Sequence, residues 1–213
     1  MVLLDFLYPP KCKICSTKIK RGVICPFCFE KLEKSENHSR MQIDVDGKTI
    51  NAHFLFPYDN DAVKQLLFAL KRKADRQLFE IARDMYLKAS ECNVNGEMTA
   101  VVNVPRSVEN VRKYGYDHVK IPCKLMCRKN KNMVYCPVLK RKGKSAEQKN
   151  LDAVLRQNNV KGKFLAIKKD IPKNILLVDD VVTTGSTAGE CIRELYKIYP
   201  DAEITCVFLA HTN

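Results

Sequence analysis

The most constraining feature of this sequence is the stretch ILLVDDVVTTGSTA, residues 175–188. Its apolar start, ILLV, is typical of a strand that is buried on both faces of a parallel sheet. Two adjacent aspartates, Asp179 and Asp180, follow, and a loop of small residues leads into a helical pattern. In open α/β sheets such a strand-to-helix turn lies at the carboxyl edge, where ligands bind. The stretch therefore predicts an α/β fold with a ligand site at this turn.

The residues of this turn suit a phosphorylated sugar. Small residues allow consecutive backbone N–H groups to converge on an anion at the start of the helix, and hydroxyl groups add donors. The carboxylates of Asp179 and Asp180 can accept hydrogen bonds from vicinal hydroxyl groups of a sugar. A ribose 5-phosphate satisfies both halves of the site. The expected phosphate-binding residues are Thr183, Thr184, Gly185, Ser186 and Thr187.

The chain contains 10 cysteines, and four of them form the pattern C-x2-C-x9-C-x2-C: Cys12, Cys15, Cys25 and Cys28. Each C-x2-C pair can direct two thiolates toward one tetrahedral metal ion, and four thiolates leave no open position for catalysis. We therefore expect a structural zinc ion, because the surrounding segment lacks the apolar residues for a core of its own. Two redox-active dithiols, or cysteines that act as small buried apolar residues, are the alternatives.

A polar, charged segment follows the cysteines and indicates the end of a short helix and a linker. We place a boundary there, with a four-cysteine zinc-binding module at residues 1–36 and a larger domain at residues 37–213. The cations of the run LKRKADR, residues 70–76, could form a solvated face or reach a phosphate, and we interpret the run as a solvated face.

Hydrophobic spacing predicts the main elements of the larger domain. The pair Asp46 and Gly47 indicates the turn of a β-hairpin, and helical spacing covers residues from about 61 to 70 and from 76 to 88. Short β-branched runs predict core strands near residues 100–104, 175–179 and 203–209, which form a parallel sheet flanked by helices.

The charge balance and the N-terminus limit the partners and the location. Lys and Arg number 37 and Asp and Glu 24, so the net charge is +13. This charge favours polyanionic partners such as nucleic acid, phosphorylated metabolites or an anionic membrane surface. The N-terminus, MVLLDFLYPP, has an acidic Asp5 where a signal peptide needs a basic start, and no apolar run reaches transmembrane length. We expect a cytoplasmic protein without membrane insertion.

The stretch 175–188 resembles the phosphoribosyl pyrophosphate (PRPP) signature of type I phosphoribosyltransferases, in which an apolar strand, two acidic residues and a small-residue loop follow one another. Together with the four-cysteine pattern and the segment VPRSVENVRKYGYDH, residues 104–118, the chain resembles the ComF family of competence-associated phosphoribosyltransferase-like proteins over nearly its whole length. A further segment carries residues that match this family: Gln148, Leu151, Arg156, Asn159, Gly162 and Phe164.

The resemblance implies roles for these residues. Asp179 and Asp180 would hold the ribose hydroxyl groups, residues 183–187 would bind the 5′-phosphate, and the turn with Arg106 would contact the pyrophosphate. Mg2+ would bridge ribose and pyrophosphate oxygens rather than sit in an all-protein cage. Asp179, Asp180 and Arg106 are the expected catalytic residues. The sequence departs from the family's R-G-[FY]-N-Q in reading KYGYDH at residues 113–118, where we interpret His118 as a hydrogen-bonded surface residue.

Two functions are compatible with this sequence. The first is a Mg-PRPP-dependent phosphoribosyltransferase with an unidentified acceptor. The second is a non-catalytic competence factor that binds single-stranded DNA or a DNA-processing protein and uses the fold as a ligand sensor or scaffold, since the family is associated with DNA uptake. Steep salt dependence is expected for DNA binding, whereas PRPP binding should depend on Mg2+ and the two aspartates.

Overall fold

The computed structural model describes residues 9–90, 96–142 and 162–212. Within these ranges a six-stranded sheet forms the centre of the molecule. Its strands, in chain order, are β1 (Ser39–Val45), β2 (Lys48–Pro57), β3 (Thr99–Asn103), β4 (Met133–Tyr135), β7 (Asn174–Val182) and β8 (Glu203–His211). A separate antiparallel pair consists of β5 (Leu139–Arg141) and β6 (Phe164–Ala166). The helices are α1 (Pro26–Ser35), α2 (Asp61–Arg72), α3 (Arg76–Ser90), α4 (Val108–Tyr114), α5 (Lys120–Lys129) and α6 (Ser186–Ile198).

The strand order is β1-β2-β8-β7-β3-β4, and every neighbouring pair except β1 and β2 is parallel. The predicted α/β class with a parallel core sheet is therefore confirmed. The predicted core strands are confirmed as β3, β7 and β8. Strand β7 is longer than predicted because it continues through Asp179 and Asp180 to Val182.

The predicted hairpin and helices are also present. Strands β1 and β2 pair antiparallel around Asp46 and Gly47, whose φ values of 53° and 81° suit the tight turn of a two-residue hairpin. Helix α2 starts after the N-cap Asn60, whose side chain accepts hydrogen bonds from the N–H groups of Ala62 and Val63. Pro122 lies in the first turn of α5, where its missing N–H group costs no hydrogen bond.

Two apolar layers cover the sheet. On one face Leu176 and Val178 of β7 pack with buried residues of α2, α3 and α5. On the other face Ile175 and Leu177 pack with α6. The alternation of β7 side chains between the two layers follows from the period of two in a strand.

Three of the four N-terminal cysteines, Cys12, Cys25 and Cys28, belong to the first of these layers. Cys12, Cys28 and Leu32 of α1 are buried in the same cluster as Leu66 of α2. An ion pair of 3.3 Å between Lys13 Nζ and Asp75 Oδ2 joins the module to the segment before α3. The division of the chain into residues 1–36 and 37–213 stays a prediction.

Parts of the chain that carry sequence-based predictions lie outside the described ranges. These are the N-terminal residues 1–8, which include Asp5, and the family-matching residues Gln148, Leu151, Arg156 and Asn159. Gly162 and Phe164 of the same segment are described. Among the described helices, none has the length and apolarity that are needed to cross a membrane.

Candidate functional site

The carboxyl ends of the parallel strands meet at one edge of the sheet. Val182 at the end of β7 pairs with His211 of β8, and His211 pairs with Pro57 of β2. The turn after β3 joins this edge through a hydrogen bond of 2.9 Å from Val104 N–H to the carbonyl of Val178. The loops that follow β2, β3 and β7 therefore lie side by side, as ligand-binding loops of α/β sheets do.

A cavity of about 420 Å³ opens at this edge, within the size range of small-molecule sites. It brings together Asp179 and the whole of the predicted phosphate loop. Its lining consists of Asp179, Val181, Val182, Thr183, Thr184, Gly185, Ser186, Thr187, Ala188 and Phe208. Asp180 and Arg106 are not among the lining residues.

The start of α6 faces this cavity with its backbone open. The N-cap is Gly185, in the left-handed conformation with φ of 74°, which has no side chain to cap the helix, and the N–H of Ser186 makes a long hydrogen bond of 3.4 Å to Thr184 Oγ1. The hydroxyl groups of Thr184 and Ser186 lie 2.6 Å apart and supply polar atoms beside the first helical turn. Unsatisfied N–H groups at a helix start, together with hydroxyl groups, form a binding site for an anion such as phosphate.

Asp179 is half-buried at the wall of the cavity. Its Oδ1 accepts a hydrogen bond of 2.9 Å from the backbone N–H of Asp180. Burial, and next the negative charge of Asp180, raise the pKa of Asp179 well above its ordinary value. The folded protein disfavours the ionised form of this carboxyl group. A carboxyl group with such a raised pKa is typical of a functional site rather than of an ion pair that stabilises the fold.

The carboxyl group of Asp180, unlike that of Asp179, contacts two side chains, those of Lys71 and His118. Its Oδ2 lies 2.6 Å from Lys71 Nζ and 2.9 Å from His118 Nε2, and its Oδ1 accepts a hydrogen bond from Val181 N–H. Burial alone would raise the pKa of Asp180, but the hydrogen bond to His118 and the charge of Lys71 outweigh burial and lower it. Asp180 is therefore a carboxylate, and Nε2 of His118 carries the proton that it donates.

His118 and Lys71 correct two interpretations of the sequence. His118 is buried rather than on the surface, and its Nδ1 has no hydrogen-bond partner among the described residues. Lys71 lies in the basic run interpreted as a solvated face, yet its ammonium group pairs with Asp180. Burial opposes this charge, but Asp180 outweighs burial and raises the pKa of Lys71. The sequence carried no signal that the end of α2 approaches β7.

Arg106 follows β3 at the same edge, but its guanidinium group contacts backbone. Nη1 donates to the carbonyl of Tyr116 at 3.1 Å and Nη2 to the carbonyl of Lys71 at 2.8 Å. The group also lies over the ring of Tyr114, 4.7 Å from its centroid. Arg106 thus links the end of α2 to the loop that carries His118.

Asp117 is a further residue that sequence reasoning missed. Its Oδ2 accepts a hydrogen bond from Arg106 N–H, and its Oδ1 accepts two from the N–H groups of Val119 and Lys120 at the start of α5. These bonds fix the loop on which His118 lies. The local signal for this role was the acidic residue just before a helix.

The four predicted metal ligands come together at the N-terminus. One sulfur atom from each of Cys12, Cys15, Cys25 and Cys28 lies within 4.8 Å of the other three. Cys15 Sγ and Cys25 Sγ are 3.7 Å apart, close to the separation of about 3.8 Å that Zn–S bonds of about 2.3 Å give in a tetrahedron. The group is positioned to bind one metal ion.

The surroundings of Cys12 and Cys15 favour thiolate ligands, whereas burial raises the pKa of Cys28. Backbone N–H groups of Cys25 and Cys28 donate to Cys12 Sγ and Cys25 Sγ, respectively. The side-chain hydrogen bond between Cys15 and Thr17, together with the backbone of Thr17, lowers the pKa of Cys15 to about 6. Burial would raise the pKa of Cys12, but backbone hydrogen bonds outweigh burial and lower it. The other five described cysteines are buried or half-buried, as expected for core residues.

Comparisons with known proteins were made at the levels of sequence and fold. No family model matches the chain. A solved structure, orotate phosphoribosyltransferase from Aeropyrum pernix, aligns over 85% of this chain and 80% of its own, with 16% sequence identity and a TM-score of 0.40. This likeness is too loose to add to the topology described above.

Competence protein F from Haemophilus influenzae is a relative in sequence. It is 26% identical over 197 residues, which span 88% of this chain and 84% of the relative. The match therefore extends over most of both chains rather than over a single motif. The chain is thus similar to competence protein F, which confirms the resemblance to the ComF family that its sequence predicts.

Proposed function

We propose that this chain is a competence-associated, phosphoribosyltransferase-like protein that binds PRPP, or a related ribose phosphate, at the carboxyl edge of its sheet. The observation that carries the proposal is the cavity that joins Asp179 to the loop of residues 183–187. A helix start without a side-chain cap suits the 5′-phosphate, and a carboxyl group beside it suits ribose hydroxyl groups. The similarity to competence protein F supports the association with competence.

Asp179 and Asp180 remain the proposed ribose-binding pair, and their positions support different contributions. Asp179 lines the cavity, so its carboxyl group is the direct acceptor for a ribose hydroxyl group. Asp180 lies beside it in β7 with partners on its oxygens. Mg2+ bound to the ligand would lower its negative charge next to these two groups.

Such a site supports transfer of the phosphoribosyl group to an acceptor. The bond between C1 of the ribose and the pyrophosphate oxygen would break, and the pyrophosphate would leave with the electron pair. A bond from C1 to the acceptor's nucleophilic atom would form, and the proton of that atom would pass to solvent. Arg106 is kept as a proposed contributor, because it orders the loop after β3. His118 is a buried titratable group in direct contact with Asp180.

Isothermal titration of Mg-PRPP into the purified protein tests the binding proposal. We expect saturable binding to the wild type, and a loss of about tenfold in affinity for Asp179→Ala, since the acceptor of the ribose hydroxyl group is removed. Thr49→Val, at an exposed position of β2 near the hairpin turn, is a control. If wild-type protein gives no heat with PRPP or ribose 5-phosphate, the proposed function is wrong. Release of pyrophosphate with candidate nucleobases then tests transfer.

We propose further that the four-cysteine group binds a structural zinc ion. The closed set of four sulfur ligands and the hydrogen bonds from backbone N–H groups support zinc over an open catalytic metal. The ion would hold together a segment that otherwise relies on few apolar side chains.

A second candidate function is the binding of single-stranded DNA by the cysteine module. A shallow groove there is lined by Lys18, Lys20, Arg21 and Phe27 among others. Phe27 is 62% exposed, and Lys31 lies over its ring. Exposed aromatic rings flanked by cations are suited to stacking with bases and to contacts with phosphates.

Fluorescence anisotropy with a labelled oligonucleotide tests this second function. Binding should weaken steeply between about 50 and 200 mM salt, and the salt slope should fall when Lys18, Lys20 and Arg21 are replaced by alanine together. The matched control replaces three exposed lysines elsewhere: Lys120, Lys131 and Lys168. Equal losses in the two triple variants would show that only net charge matters, and this groove would then be excluded as the site.

A further inference from the structure

The distribution of charge at the carboxyl edge leaves the proposed ligand short of cations. Residues 183–188 of the loop contain no lysine or arginine, and Asp179 and Asp180 add negative charge. PRPP carries a phosphate and a pyrophosphate, so it needs positive partners at its anionic end. Two of the cations that the structure places at this edge are Arg106, which donates to two backbone carbonyls, and Lys71.

Lys71 has donors to spare for a ligand. An ammonium group has three N–H donors, and Asp180 Oδ2 accepts one of them. The side chain of Lys71 is 41% exposed while that of Asp180 is 11% exposed, so the ammonium group lies on the solvent side of the pair. Its positive charge also opposes the effects that raise the pKa of Asp179.

The backbone around Lys71 is fixed by contacts from the loop after β3. The carbonyl of Lys71 accepts the hydrogen bond from Arg106, and the carbonyl of Leu70 accepts one of 2.8 Å from the hydroxyl group of Tyr116. Both carbonyls belong to the last turn of α2, where intrahelical partners are missing. These bonds hold the end of α2 at the edge of the sheet, so Lys71 needs little reordering to meet a ligand.

Resting on the proposed function, we propose that Lys71 binds the pyrophosphate group of the ligand, and that Asp180, held in turn by His118, positions Lys71. The two aspartates would then act differently: Asp179 toward the ribose, and Asp180 chiefly through Lys71. The geometry supports this division, because both Lys71 Nζ and His118 Nε2 meet the same oxygen of Asp180. A buried carboxylate with two such partners is a fixed anchor for the ammonium group of the lysine.

The proposal predicts a change in ligand preference rather than a general loss of binding. Mg-PRPP and ribose 5-phosphate differ only by the pyrophosphate group and its metal ion. Calorimetric titrations with the two ligands therefore isolate the contribution of the pyrophosphate group to binding. We expect Lys71→Met to lower the affinity for Mg-PRPP by at least about tenfold, as for a lost charge-assisted hydrogen bond. The affinity for ribose 5-phosphate should fall by less than about threefold. Lys71→Arg keeps charge and donors and should stay within about threefold of wild type for both ligands.

Lys64→Met is the matched control. Lys64 lies on the same helix, is 42% exposed and pairs with Asp61, so its replacement changes the net charge equally, away from the site. Its affinities should equal those of the wild type. Circular dichroism at the titration temperature checks that Lys71→Met is folded. If it is not, the double variant Lys71→Met/Asp180→Asn leaves no unpaired buried charge and is compared with Asp180→Asn alone.

The outcomes separate this inference from the proposed function. Unchanged Mg-PRPP affinity in Lys71→Met, or equal losses for PRPP and ribose 5-phosphate, would overturn the inference and leave PRPP binding intact. A wild-type protein that binds neither ligand would instead overturn the proposed function itself.

Discussion

Asp179 and Asp180 are neighbours in β7, yet their carboxyl groups lie on different sides of the strand. Asp179 lines the loop cavity, and Asp180 contacts Lys71 and His118. Because β7 continues to Val182, consecutive side chains point in opposite directions through this region. One carboxyl group therefore lacks a cationic partner at hydrogen-bond distance among the described residues, and the other has two partners. This difference predicts opposite effects when each charge is removed.

Asp179→Asn should stabilise the protein at neutral pH. The pKa of Asp179 is raised in the folded state, so the folded protein prefers the protonated form, and the stability that this preference adds is lost as pH rises through the folded pKa. Asparagine is neutral throughout. We expect a gain of about 1 kcal/mol in the free energy of unfolding at pH 8, or about 2–4 °C in Tm, which shrinks as pH falls toward 4. Urea unfolding at several pH values measures this.

Asp180→Asn is the matched control and should have the opposite sign. The pKa of Asp180 is lowered because His118 and Lys71 outweigh burial. The charge of Asp180 therefore stabilises the folded protein above the unfolded pKa of about 3.9. This contribution is lost as pH falls through the folded pKa. Asp180→Asn should lower Tm at pH 8. If both variants lose stability equally at pH 8, the assignment of different environments is wrong.

Removal of one cysteine ligand should release the metal. Protein purified without added metal should contain about one equivalent of zinc, and Cys12→Ser should lose it, because a structural site needs all four ligands. Since the module shares its apolar layer with α2, Tm should fall as well. Plasma emission spectroscopy and thermal unfolding measure the two effects. Cys127→Ser, outside the group, should keep its metal; an equal loss there would argue against this site.

The fold and part of the site could be predicted from the sequence because their signals are local. The run ILLV, the turn at Asp46 and Gly47, and the C-x2-C spacing each depend on neighbours within a few residues. Strand β7 was predicted too short because aspartates are poor strand formers, while pairing with β3 and β8 extends it.

The contacts of Lys71 and His118 could not be predicted, because they depend on tertiary packing. Lys71 reaches Asp180 across a large sequence separation only after the end of α2 has been placed by Arg106 and Tyr116. A basic run at the end of a helix is far more often solvated, and a single histidine in a polar loop carries no sign of burial. Side-chain chemistry was readable from the sequence, but which groups meet was not.

Gly185→Ala should destabilise the loop at the start of α6. Gly185 has φ of 74°, which costs an L-residue about 1–2 kcal/mol, and a Cβ atom there would lie 3.1 Å from Ile43 Cγ1. We expect a loss of about 2 kcal/mol in urea unfolding. In an Ile43→Ala background the Cγ1, Cδ1 and Cγ2 atoms that crowd this Cβ are all removed, so the loss should be smaller. Gly47→Ala also has positive φ but meets no atom within 4 Å, so it isolates the backbone cost. An equal loss at Gly47 would exclude a contribution from Ile43.

Arg106→Met should lower the stability of the site's framework. The guanidinium group donates to the carbonyls of Tyr116 and Lys71, and these charge-assisted bonds join the loop after β3 to the end of α2. Methionine retains apolar contact but leaves both carbonyls without this donor, so we expect a loss of about 2 kcal/mol in urea unfolding. The exposed Arg112→Met is the control and should change stability by less than about 0.5 kcal/mol. An Arg106→Met protein as stable as this control would show that the two hydrogen bonds do not support the fold, and Arg106 would then be assigned to the ligand alone.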